Sequence, residues 1–103
     1  MAFIEQVTHP HIVRVEGIAN GKPTIDGTRI KVEQIALEYE RMGWTPDQIV
    51  EAHPQLTLAQ VHDALSYYYD HQAEIDAQVA ADEALIEEIK QQFTSKLDEK
   101  YAD

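Results

Sequence analysis

The chain has 103 residues, no cysteine and a formal net charge of -11. A chain this long has room for one core, and the missing cysteines exclude disulfides, thiolate zinc sites and cysteine nucleophiles together. No apolar run approaches the ~18 residues of a membrane helix, and the Leu, Ile, Val and Phe content of roughly a quarter lies above the level at which charged chains stay disordered.

The opening MAFIEQVTHPH has no basic n-region and no long apolar h-region. No secretory leader is expected, and with zero cysteine a cytoplasmic location fits. His11–Val15 is β-branched at Ile12, Val13 and Val15 and predicts a short strand. Turn signals follow at Gly17, Asn20-Gly21, Pro23 and Asp26-Gly27. Asp26-Gly27 predicts a tight hairpin between Thr24-Ile25 and Thr28-Arg29-Ile30, with a positive φ at Gly27. From Val32 the period becomes helical, with Ile35, Ala36, Tyr39 and Met42 on the apolar face, Glu38 off it, and Gly43 as the stop. Two Thr-x-x-Gln capping boxes come next, at Thr45–Gln48 and Thr57–Gln60. Pro46 suits the first helical position, and Pro54 ends the helix before it. Leu58, Val61, Leu65 and Tyr68 form the stripe of the second helix, with Leu56 packed in the turn between the two. This is a unit of helix-turn-helix size. Asp70-His71-Gln72 predicts a break, with Asp70 able to cap a long helix. Along that helix Ile75, Val79, Ile86, Ile89, Phe93 and Leu97 fall on one side, and residues after about Thr94 are expected to fray.

The expected architecture is mainly α: a short N-terminal β element, a helix-turn-helix (homeodomain-like) core in residues 1–71, and an acidic C-terminal helical arm in 72–103. The apolar side of the arm needs cover, and another chain, a second copy or a partner, is the simplest cover. Tyr67, Tyr69, Ile75, Val79, Ile86, Ile89 and Phe93 are the candidate partner or oligomer surface, and a homodimer is expected.

Charge restricts function further. Between Arg41 and Lys90 there is no Lys or Arg. Nucleic-acid binding draws on phosphate neutralisation, so candidate nucleic-acid contacts are Arg14, Lys22, Arg29, Lys31 and Arg41, with Gln60 and His62 on the second helix of the pair. Weak DNA binding is the most this set predicts. The acidic arm favours a basic partner instead. The five histidines show no metal-ligand spacing, Gly21-Lys22-Pro23 opens no phosphate loop, and the two serines sit at no nucleophile elbow. No enzyme activity, metal or cofactor is expected.

The stretch Gly21-Lys22-Pro23-Thr24-Ile25-Asp26-Gly27-Thr28-Arg29-Ile30-Lys31-Val32 resembles the G-K-P-x-I-x-G-T-R-I-x-V signature of domain-of-unknown-function family 433. Gly43–Ile49, His53–Thr57, and then Val61, Ala64-Leu65 and Tyr67-Tyr68 are similar to the rest of it, and the likeness spans about residues 4–75. The resemblance implies a small helix-turn-helix-type domain. Several members look like the antitoxin half of toxin–antitoxin pairs whose toxin is a PIN-like ribonuclease. It therefore implies an antitoxin-like protein binding such a partner, with a DNA-binding transcriptional regulator as the alternative. For Arg29 two roles stand open: bracing the loop through carbonyls or a carboxylate, or contacting phosphate or a partner.

Overall fold

A computed structural model describes residues 8–101, and side chains through Thr94. The order is β1 (Ile12–Val13), β2 (Thr24–Ile25), α1 (Val32–Glu40), α2 (Pro46–Ala52), α3 (Leu58–Asp70) and α4 (Gln72–Tyr101). The fold is mainly helical with a two-stranded antiparallel sheet, as expected. It falls into two compact units, Met1–Gln72 and Ala73–Asp103.

The sheet is shorter and paired differently from the sequence expectation. β1 is two residues long, and β2 pairs with it, Ile12 opposite Ile25 and Val13 opposite Thr24. Thr28–Ile30 is not a strand. The segment does fold back: Ile30 O accepts from Ile25 N at 2.9 Å, Pro23 O accepts from Val32 N at 3.0 Å, and Thr24 bridges Lys31. The connection therefore spans Asp26–Arg29 rather than Asp26-Gly27 alone. Thr28 is the reason. Its hydroxyl donates to Ile25 O at 2.8 Å and accepts from Ile30 N at 3.1 Å, replacing ladder bonds with side-chain bonds. Gly27 holds φ +79. A Cβ there would meet nothing within 4 Å, so the cost of a side chain comes from the backbone alone. Gly27→Val is expected to cost about 1–3 kcal/mol, read as a lower midpoint in urea with an unchanged slope. An unchanged midpoint would contradict this account of the turn.

α1, α2 and α3 pack on one another in the helix-turn-helix order. Val32, Ile35 and Ala36 are buried on α1, Ile49 on α2, and Val61, Ala64, Leu65 and Tyr68 on α3, with Leu56 buried in the turn. Both capping boxes form: Thr45 and Thr57 each accept from the backbone N–H three residues on, and Gln48 and Gln60 reach back. Three expectations fail here. Tyr39 is exposed although it lies within α1, and Met42 is exposed because α1 ends at Glu40 and Gly43, at φ +71, turns the chain away. Leu58 is exposed, because it opens α3 directly after the cap and the buried face starts at Val61. Glu38, expected outside, is buried, and His53 donates from Nε2 to its carboxylate at 2.8 Å. That bond joins the end of α2 to α1.

His71 breaks the helix with φ -127, as the sequence predicts. Asp70 turns to His9 instead of capping α4. The backbone of α4 stays helical through Tyr101, past the Thr94 at which fraying is expected. Leu97 lies outside the described side chains. Among the described residues no helix is long and apolar enough to cross a membrane.

Candidate interaction surfaces

Four surfaces hold the residues singled out by the sequence. The first is the signature loop. Lys22 and Lys31 both turn onto one carboxylate, Glu33, at 3.1 and 3.2 Å. The hairpin register explains it: with Thr24 opposite Lys31, Lys22 falls opposite Glu33. The Lys22 side chain is only 17% exposed, so it is withdrawn from the candidate phosphate contacts. Arg29 is exposed and makes no hydrogen bond or ion pair among the described residues. The bracing role is therefore corrected: Thr28, not Arg29, braces the loop. Arg29 stands at the edge of an open hollow of about 430 Å³ whose lining includes Val13, Val15 and Ile18. Arg14 and Arg41 are also exposed.

The second surface is α3, the helix a helix-turn-helix protein would present to DNA. It carries no Lys or Arg. Gln60 spends its side-chain oxygen on Thr57 N at 2.8 Å, which leaves His62 as the exposed candidate.

The third is a cluster built on histidines that show no metal-ligand spacing in the sequence. His9 lies between two carboxylates of α3, Nδ1 at 3.3 Å from Asp63 and Nε2 at 2.8 Å from Asp70. Asp63 also accepts from His11 N at 2.7 Å. Asp63, Tyr67 and Asp70 recur at i, i+4 and i+7, so one face of α3 holds the chain that enters β1. Tyr67 meets the edge of the His9 ring at 5.1 Å and stacks on His71 at 4.1 Å. These contacts correct its expected role as a partner anchor. Tyr69 remains exposed and donates its hydroxyl to Glu40. That hydrogen bond is the main reason its phenol is pushed up to about 12, with desolvation adding to it. The neutral phenol is the favoured form, so this contribution persists below about pH 10 and fades as pH rises toward 12.

The fourth is α4. Ile75 and Val79 are 6% and 7% exposed. Leu85, Ile86, Ile89 and Phe93 are 52–64% exposed. Leu85 was not among the expected residues, although it lies one turn before Ile89. Among the described residues no group of three or more His, Asp or Glu could hold a metal ion.

A family described as "Protein of unknown function (DUF433)" matches residues 12–68, more than half of the chain. The chain belongs to this family. The DUF433 segment runs from β1 to Tyr68 on α3, so it contains the signature loop and the helix pair and excludes α4. A crystal structure of a DUF433 member protein from Anabaena variabilis ATCC 29413 is similar, with 27% identity and a TM-score of 0.61 over 68% of each chain. No curated protein matches.

Proposed function

We propose that this DUF433 chain is a non-enzymatic regulatory protein of the cytoplasm, an antitoxin-like component that binds a PIN-like ribonuclease as its partner. The observation that supports it most is α4, where four large apolar side chains stay more than half exposed on an acidic helix. Exposed apolar patches bordered by charge mark protein contacts. The experiment looks for a PIN-like ribonuclease in the reading frames beside this one and titrates it with the purified chain. Loss of RNA cleavage at one equivalent supports the reading, and undiminished cleavage in excess chain overturns it.

A second reading, transcriptional regulation through DNA, draws on the α2–α3 pair and the exposed Arg29. Its weakness is charge. α3 brings no cation to the backbone, Lys22 and Lys31 share Glu33, and a net charge of -11 opposes approach to phosphate. In gel shifts at near-physiological salt the chain alone is expected to bind duplex DNA poorly. Tight, sequence-specific binding that survives Arg29→Ala and Lys31→Ala would reverse the order of the two readings.

A further inference from the structure

We propose that His9 is a proton-operated clasp: with both ring nitrogens protonated it ties the chain entering β1 to Asp63 and Asp70 of α3, and loss of one proton opens that tie. The inference is independent of the partner-binding reading.

The two contacts demand opposite things of a neutral ring. Nδ1 lies 3.3 Å from Asp63 Oδ1, and Nε2 lies 2.8 Å from Asp70 Oδ2. An ionised carboxylate only accepts hydrogen bonds, and a neutral imidazole has a single N–H to give. Either neutral tautomer therefore turns a ring lone pair toward a carboxylate, and only the imidazolium donates to both. Neither carboxyl group is placed to supply the missing proton. Asp70 is 65% exposed, so water sustains its charge. Asp63 accepts from His11 N with its other oxygen at 2.7 Å, a length characteristic of an ionised acceptor. The His9 side chain is 10% exposed, which leaves water little room to replace a lost contact.

The remaining groups around the ring are compatible with its charge. Tyr67 meets it edge to face at 5.1 Å, and the His71 ring centre is 6.2 Å away. His71 Nδ1 lies 3.0 Å from Tyr67 O, a bond that a neutral ring makes with its one N–H, so His71 need not place a second cation beside His9. The clasp reaches the signature loop through one residue. His11 N is held by Asp63, and His11 O accepts from Asp26 N at 2.8 Å, where the Asp26–Arg29 connection begins. Acidification therefore tightens the hold of α3 on β1 and the loop, and alkalisation loosens it.

The test compares the native chain with His9→Gln, which keeps one donor and does not titrate. Melting is followed at about pH 5.5 and about pH 8.5, on either side of the range in which histidine ordinarily changes charge. The native chain should melt at least about 5 °C above His9→Gln at the lower pH, and by less than half that margin at the higher. Groups that titrate in both chains drop out of the difference. In the native chain at the lower pH, proton NMR should also show two ring N–H signals from His9, kept from rapid exchange by their hydrogen bonds. A margin that stays constant or grows with pH overturns the inference, and so does a His9 ring with fewer than two such signals.

Discussion

Ile35→Ala is expected to destabilise the domain by about 3–4 kcal/mol, because removing carbons from a fully buried isoleucine loses transfer free energy and leaves a cavity. Ile35 is 0% exposed on α1, the helix that packs against α3. Met42→Ala, from the same sequence periodicity, should change stability by no more than about 0.5 kcal/mol, since Met42 lies beyond the helix and is 56% exposed. Urea unfolding of the two variants checks both numbers. Equal losses would mean that the apolar face of α1 continues past Glu40.

Asp63→Ala is expected to cost roughly 2–3 kcal/mol, because hydrogen bonds to a charged group are lost and a half-buried backbone donor is left without its acceptor. The carboxylate side chain is 11% exposed, and it holds both the His9 ring and His11 N. For a domain of this size the melting temperature should fall by about 10–20 °C. Asp63→Asn keeps an oxygen able to accept from His11 N and should recover part of the loss. If Asp63→Ala melts with the native protein, the contact of the entering chain with α3 adds nothing to stability.

Local chemistry was legible in the sequence. Each capping box is complete within four residues, so Thr45 and Thr57 announce their helices without reference to the rest of the chain. Gly43 and the His71 break are local too. Contacts between distant residues were not legible. His9 and Asp63 are 54 residues apart, and Glu38 and His53 are 15 apart. Nothing in either local pattern names the other partner, so histidines of the interior looked like histidines of the surface. The pairing of Lys22 with Glu33 is an intermediate case. It follows from the hairpin register, and a four-residue connection at Asp26–Arg29 in place of Asp26-Gly27 alone would have exposed it. On α4 the apolar period was clear, but a period does not say how exposed each of its members is. Ile75 and Val79 are buried while Ile86, Ile89 and Phe93 are not.

Those exposed residues carry the central claim, that this chain acts by gripping a protein partner. Titration of a PIN-like ribonuclease from a neighbouring reading frame with the native chain and with Ile89→Glu tests it most directly. The native chain should abolish RNA cleavage at one equivalent. Ile89→Glu, which folds normally because Ile89 is 55% exposed, should need at least a hundredfold more protein for the same effect. Equal inhibition by the two chains would remove those residues from the mechanism, and inhibition by neither would contradict the account as a whole.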